Sequence, residues 1–298
     1  MPKPLDDVLS RLSKVRRTGS GYLACCPSHR DRDPSLSVSV GANGKLLLHC
    51  HAGCSFKDVL AAIDMPPDRL DFEQPLIVPS EADEIQKAEK LFNEGRFLHP
   101  DDPVCRYLSG RGIVFKEPPL DLRHHPSLDY WQQRDGRPYS IGKFDAMLGA
   151  VRDKDGSFRA VHITYLASSG HKLSSTGVID SDRKIRGRPK GGAIRLFTPA
   201  SALIVGEGIE TCLSASAICG LPSWSCVSQS GLRSVELPDQ VSTVFICVDD
   251  DEAGIEASLV LSDRLSKDKK VFFLPAGSVA GSKDWNDVIK VITNNASK

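Results

Sequence analysis

Val244-Phe245-Ile246-Cys247-Val248-Asp249-Asp250-Asp251-Glu252-Ala253-Gly254 is five apolar residues running straight into a block of acids and a glycine. An apolar run this short, with no alternation, reads as a strand buried on both faces; the pattern from Glu252 to Leu265 reads as a helix following it. A related arrangement lies upstream, where Leu203-Ile204-Val205 leads into Gly206-Glu207-Gly208 and a helical run from Ile209 to Ile218. Downstream, Val271-Phe272-Phe273-Leu274 leads through a glycine-containing loop to Lys283-Asp284-Trp285-Asn286-Asp287. Strands alternating with helices predict an α/β domain with a mainly parallel sheet covered on both faces. Ligands of such sheets sit at the carboxyl ends of the strands, and all three acidic segments fall there.

Three strand ends carrying carboxylates would repel one another unless cations sit between them. Hard oxygen ligands select magnesium or manganese, and such ions can clamp the attacking and leaving oxygens of a phosphoryl transfer. Glu207 is flanked by glycines that let another group approach the backbone. Asp249 and Asp251, two apart on a nearly extended segment, can point the same way.

Working back toward the amino terminus, Ser181 to Arg195 carries Arg183, Lys184, Arg186, Arg188, Lys190 and Arg195 against Asp182 alone. Directly before an acidic pocket, that run suits phosphates of a template or of triphosphates. Gly187, Gly191 and Gly192 predict a flexible run, and Tyr165, His171 and Lys172 could line the same groove. Between about 120 and 200 the pattern is strand-like, with Met147–Val151 and Ala160–Leu166 as the best strands and turns at Asp135-Gly136 and Asp155-Gly156. Trp131 and Trp224 read as packing residues, and His99, His124, His125 and His162 as ordinary surface or core residues.

The first fifth of the chain holds Cys25, Cys26, Cys50 and Cys54 of nine cysteines. Asp6 to Lys14 has the spacing of a short amphipathic helix, ended by Arg16, Arg17 and Gly19. Leu36–Val40 and Lys45–Leu48 read as a hairpin, and Ser55 to Ile63 as a capped helix stopped by Pro66 and Pro67. Cys26-Pro27-Ser28-His29 and Cys50-His51-Ala52-Gly53-Cys54 bracket that hairpin, as two short ligand pairs of a closed tetrahedral zinc site do. The second pair is Cys50 with Cys54, or His51 with Cys54; the end of a strand favours Cys50. Residues 73–80 read as a linker, Glu81–Glu94 as a charged helix, and Asp101–Ser109 as another short helix.

The chain has 298 residues with 38 basic and 38 acidic side chains, so net charge points to no partner. An apolar fraction of 40% excludes a largely disordered chain. No apolar stretch is long enough to span a bilayer and no leader is visible, so no membrane role and a reducing cytoplasm are expected. There is no Gly-x-x-x-x-Gly-Lys-Ser/Thr loop, which argues against a helicase.

At these motifs the sequence resembles the DnaG-type primases, in the form found on phages and mobile elements. Cys26-Pro27-Ser28-His29 with Asp33-Pro34-Ser35, then Leu48 to Cys54, is similar to the zinc ribbon of that family, although the usual gap between the last two ligands is one residue shorter. Glu207-Gly208, Asp249-x-Asp251-x-Ala253-Gly254 and Lys283-Asp284-x-Asn286-Asp287 resemble the Toprim signature. Tyr107-Leu108-Ser109-Gly110-Arg111-Gly112-Ile113 is similar to the opening of the primase core. The resemblance implies a multidomain α+β and α/β chain: zinc ribbon (1–72), linker and helix (73–100), basic part of the core (101–200) and Toprim domain (201–298).

It further implies template-directed primer synthesis on single-stranded DNA from nucleoside triphosphates, with structural zinc and catalytic magnesium or manganese. Glu207 would be the catalytic acidic residue, as a metal ligand or general base; Asp249 and Asp251 would hold the ions; Asp284 and Asp287 would assist at the rim and Lys283 would contact phosphate. The short stretch after Asp287 leaves no room for a helicase-docking domain, so a separately encoded helicase is the expected partner. The rivals are a metal-dependent nuclease on the same scaffold and a non-catalytic DNA-binding module. A topoisomerase would need further domains.

Overall fold

The computed structural model describes residues 4–18, 21–31, 33–41, 46–65, 80–114, 117–134, 137–179, 181–276, 282 and 284–296. Contacts divide the chain into two units, one of residues Met1–Val78 with Tyr130–Gly142 and one of Pro79–Asp129 with Lys143–Lys298. The expected proline stop at Pro66 and Pro67, the linker up to residue 79, the Asp135-Gly136 turn and Lys283 lie outside the described residues.

The amino-terminal elements are α1 (Pro4–Ser10), β1 (Ser13–Thr18), β2 (Gly21–Cys25), β3 (Leu36–Val40), β4 (Leu46–Cys50) and α2 (Phe56–Ala62). The four strands form one antiparallel sheet in sequence order. Alternation in β3 sends Leu36 and Val38 inward, where they meet Val8, Leu46, Val59 and Leu60. The Ser55 hydroxyl accepts the Asp58 amide and caps α2, as expected. The helix expected over Asp6–Lys14 ends at Ser10 instead, and Lys14 to Arg17 belong to β1. Pairing with β2 overrides the helical spacing there, and Lys14 takes a left-handed φ of 51° at the change of direction.

The remaining elements are α3 (Glu81–Glu94), β5 (Arg96–Phe97), α4 (Pro103–Ser109), β6 (Leu122–Arg134), β7 (Arg137–Arg152), β8 (Phe158–Leu166), a 3-10 turn (Leu173–Thr176), β9 (Arg183–Gly187), β10 (Ala193–Arg195), β11 (Ala202–Gly206), α5 (Ile209–Cys219), β12 (Ser223–Ser225), α6 (Gln229–Ser234), β13 (Thr243–Val248), α7 (Glu252–Leu265), β14 (Lys270–Pro275) and α8 (Trp285–Ala296). Strands β11, β13 and β14 are parallel neighbours, as the apolar runs predict, and β12, which no apolar run marks, pairs parallel with β11.

That parallel block is not a separate sheet. It continues through β10 into antiparallel strands, giving one ten-stranded mixed sheet in the order β14-β13-β11-β12-β10-β7-β6-β5, with β8 and β9 branching from β7. Nor is every strand covered: β14 is an edge with Phe272 and Phe273 about half exposed. Elsewhere the layers are filled. Val244 and Ile246 meet Ala257 and Leu261 of α7, and on the other face Ile204 and Cys247 meet Ala215 of α5 and Trp285 and Val288 of α8.

The basic run is also more ordered than its glycines suggest. Arg183–Gly187 is paired in register with β8, and Ala193–Arg195 joins β7 to β12. Gly187 has a φ of +98°, and a Cβ there would meet the Arg159 carbonyl at 2.6 Å, so it serves a close strand approach. Tyr165 is fully buried and donates to the Asp129 carbonyl at 2.9 Å, so it lines no groove. Trp224 is buried as expected, whereas Trp131 is 45% exposed.

Candidate metal centre and carboxylate edge

Two turns that bracket the β3–β4 hairpin deliver Cys26, His29, Cys50 and Cys54 to one point, with all four ligand atoms within 4.8 Å of one another. His29 Nδ1 lies 3.3 Å from Cys54 Sγ and 3.9 Å from Cys50 Sγ. Those separations suit the edges of a tetrahedron around zinc, whose ligands stand about 2.0–2.3 Å from the ion. Burial opposes the Cys50 thiolate, yet backbone N–H groups of Cys54 and Ala52 donate to its sulfur and bring the thiol to about 7. Burial, together with the Cys50 and Cys26 sulfurs, pushes Cys54 up to about 11. Thiolates crowded in this way need a cation, so the donor set fits zinc.

The alternative ligand is turned away. His51 Nε2 is 2.8 Å from the Ser37 hydroxyl, across the outer face of the sheet. Asp31, which sequence reasoning missed, ties the first ligand turn together. Its Oδ2 accepts the Cys26 amide at 2.7 Å and the Ser35 hydroxyl at 2.7 Å, and lies 3.9 Å from His29 Nε2. The Cys26 amide and Ser35 hold its carboxyl below the usual aspartate range. Its signal was available: an acid two residues after a ligand histidine.

The second site lies along the carboxyl ends of β11 and β13. Chain direction puts Glu207 after β11, with its carbonyl accepting the Ser225 hydroxyl at 2.8 Å. Gly206 is glycine because three elements meet there; a Cβ would stand 2.9 Å from Cys212 Sγ and 3.0 Å from Cys247 Cβ. Asp249 follows β13. Asp251 caps α7, accepting the Gly254 amide at 2.6 Å, and Asp284 accepts the Asp287 amide at 2.8 Å at the start of α8. Asp287 is 3.7 Å from Lys290.

These carboxylates feel one another. Burial pushes Asp249 up to about 6, and the charges of Glu207, Asp284 and Asp251 add to the effect. Burial also raises Glu207, with Asp251 adding and Arg183 opposing. Asp249 Oδ1 is buried without a hydrogen-bond partner. An orphaned carboxylate oxygen among like charges suits a hard divalent cation. Among the described residues, however, the zinc-type set alone brings three or more ligand atoms within 4.8 Å, so this edge is the looser of the two.

The basic residues separate into groups. Arg183, Lys184 and Arg186 lie on β9; Lys190 is exposed on the following turn. Arg188 is paired with Glu84 of α3 at 2.8 Å. Arg195 donates to the Asp153 carbonyl at 2.6 Å and lies over the Trp224 ring at 4.7 Å, a structural setting. Lys172 is half-buried near Glu210, and burial lowers its pKa.

Sequence reasoning missed Glu210 and the role of Asn286. Glu210, on the first turn of α5, is buried and accepts the Tyr107 hydroxyl. Asn286 accepts from Arg111 Nη1 at 3.0 Å and donates to the Arg111 carbonyl at 2.9 Å. That pair fastens α4's exit to α8. No periodicity marks either residue, since each takes its meaning from a distant partner.

Residues 3–89 match the CHC2 zinc finger, 82–196 a domain of unknown function (DUF7146), and 202–293 the Toprim domain. The DNA primase of Pseudomonas putida is 28% identical over 134 residues, covering 43% of this chain and 19% of the relative. That of Haemophilus influenzae is 27% identical over 146 residues, covering 46% and 23%. The chain thus matches only about a fifth of the length of these curated relatives.

Among solved structures, the zinc-binding and RNA polymerase domains of the Aquifex aeolicus primase align over 98% of this chain and 81% of theirs, at 16% identity and a TM-score of 0.41. The primase fragment of the bacteriophage T7 primase-helicase protein aligns over 51% and 61%, at 20% identity and a TM-score of 0.38. The chain thus matches a CHC2 zinc finger followed by a Toprim domain, and the curated relatives it resembles are DNA primases.

Proposed function

We propose that the chain is a primase that makes short RNA primers on single-stranded DNA from nucleoside triphosphates. The observation that carries the reading is the Asp249 carboxyl, pushed up to about 6 and left with a buried, unpartnered oxygen between Glu207, Asp251 and Asp284. In this reading the primer 3′-oxygen attacks the α-phosphorus of the incoming nucleotide, the bond to pyrophosphate breaks, and the hydroxyl proton leaves. Glu207, half-buried with a raised pKa, is suited to accept that proton. Asp249 and Asp251 would hold magnesium or manganese, which when bound neutralises charge on the reacting phosphate. Asp284 and Asp287 complete the rim, and Lys283 is assigned a phosphate contact.

Arg183, Lys184, Arg186 and Lys190 are the proposed phosphate track, with Lys172 beside it; Arg188 and Arg195 contribute their charge from paired positions. Zinc would be held by Cys26, His29, Cys50 and Cys54 and would give the amino-terminal sheet its fold. The working division is residues 1–72 for the zinc ribbon, 73–100 for linker and helix, 101–200 for the basic part of the core and 201–298 for the Toprim domain. A separate replicative helicase is the proposed partner.

The test is template-dependent oligoribonucleotide synthesis by the zinc-loaded protein, with synthesis abolished in Asp249→Ala. DNA cleavage without nucleotides would favour the nuclease instead. A folded protein that makes no primer on a panel of templates would overturn the reading.

A further inference from the structure

An arginine beside a cation site is a hazard, because it can neutralise the carboxylates in the cation's place. Arg183 stands at the start of β9, paired in register with Thr164 of β8, and is half exposed. Its charge acts on Glu207 and Asp249. Yet its ion-pair contact is with Glu210, whose Oε2 lies 4.0 Å from Nη2. Glu210 is three residues beyond Glu207, on the first turn of α5, and its Oε2 would stand 3.7 Å from a Cβ placed on Gly208. So the buried carboxylate lies against the backbone that follows the proposed catalytic residue, and the guanidinium is within ion-pair reach of the buried one.

Glu210 is built to keep its charge there. Its other oxygen accepts the Tyr107 hydroxyl, and Lys172 lies close enough to favour the ionised form. Burial works against that form, but Tyr107, Arg183 and Lys172 together keep the pKa below the ordinary glutamate value. Tyr107 is in turn fixed beneath Arg111, whose guanidinium lies 5.1 Å from the ring centre. A carboxylate this enclosed has little freedom to follow the arginine elsewhere; the arginine, half exposed, has more.

We propose that Glu210 is a positioning residue that holds Arg183 away from Glu207 and Asp249, leaving that carboxylate edge free for a divalent cation while keeping the guanidinium beside it for an anionic ligand. The inference rests on the reading of Glu207 and Asp249 as a cation site, and deepens it. Without Glu210's charge, Arg183 is left to the carboxylates its charge already acts on, Glu207 and Asp249, and a divalent ion must displace it.

Direct binding of Mn2+ to the zinc-loaded full chain, followed by the electron paramagnetic resonance of the free ion, tests this. Glu210→Gln should weaken Mn2+ binding about tenfold, the scale of one unit charge brought to ion-pair distance at a half-exposed site. Arg183→Met alone should tighten it, and Arg183→Met in the Glu210→Gln protein should restore it to at least the starting value. Restoration distinguishes a tether from a simple loss of packing, which the second substitution would not repair. Arg183→Met also keeps the test usable if Glu210→Gln does not fold.

Unchanged binding in Arg183→Met, or a double variant as weak as Glu210→Gln, would overturn the proposal. Primer synthesis distinguishes the two failures: primers made by a protein whose Mn2+ affinity ignores Arg183 would remove the tether and leave the primase reading. Mn2+ binding that follows the scheme in a protein that makes no primers would do the reverse. A wild-type chain that binds no Mn2+ would overturn both.

Discussion

The zinc-type cluster and the carboxylate edge both gather groups that repel one another, but they are supported in opposite ways. Cys26, His29, Cys50 and Cys54 sit on turns around a small four-stranded sheet, and the ligand set ties together the two turns that bracket the β3–β4 hairpin. Glu207, Asp249 and Asp251 ride on the ends of strands whose Leu203, Val205, Val244 and Ile246 are fully buried. The first site should make its fold; the second is imposed on a fold already made, and carries the strain of like charges. The lesson is that removal of metal ought to unfold one region and merely unsettle the other.

The largest expected effect follows from that contrast. Chelation of zinc, or Cys26→Ser or Cys54→Ser, should remove folding free energy on the order of 10 kcal/mol from the amino-terminal unit. Zinc content measured with far-UV circular dichroism checks it; His51→Ala should keep one zinc per chain. A zinc-free protein with the β1–β4 sheet intact would break the comparison.

A smaller effect is expected at the acidic edge. Asp249 has its folded pKa raised to about 6 from an ordinary 3.8. Its contribution to stability is therefore present below about pH 4 and lost as pH rises through 6, where the ionised carboxylate meets its neighbours. Asp249→Asn should melt higher than wild type at pH 7.5 without divalent ions, with the gap closing toward pH 4. Added magnesium should raise the wild-type melting temperature at pH 7.5 and change Asp249→Asn less. A gap independent of pH would show that the carboxylates do not strain the fold.

The smallest effect sharpens the reading of the basic residues. Arg186→Glu should weaken single-stranded DNA binding and lower the slope of log affinity against log salt by at least about 0.7, the share of one phosphate contact. Arg195→Ala, which loses the Trp224 stack and the Asp153 bond, should lower the melting temperature and change that slope less. Equal slopes in the two variants would erase the distinction drawn between track and scaffold.

The parallel block was legible because its strands are continuous apolar runs and each is followed by a chain-local acid or glycine. Ser80's capping of α3 and Ser55's of α2 are local in the same sense. The amino-terminal helix was overestimated because Leu12 and Val15 match a helical spacing as well as they match the edge of a sheet. β12 went unseen because Ser223-Trp224-Ser225 has no apolar run; it is a strand only because β11 and β10 pair with it on either side. The zinc ligands were legible from spacing, including the preference for Cys50 over His51. The division of the basic run into track and scaffold was not, since composition says nothing of which carboxylate stands opposite each cation.

Composition, spacing and local capping thus determined the Cys26, His29, Cys50 and Cys54 cluster, the apolar runs of β11, β13 and β14 and the acidic segments that follow them, because each of those depends on residues a few positions apart. Only the tertiary structure decided that the parallel and antiparallel strands share one sheet, that Asp249 keeps an unpartnered oxygen, and that Arg183 answers to Glu210. Those outcomes depend on pairings between residues far apart in the chain, where burial and Coulomb energy act on distance in space.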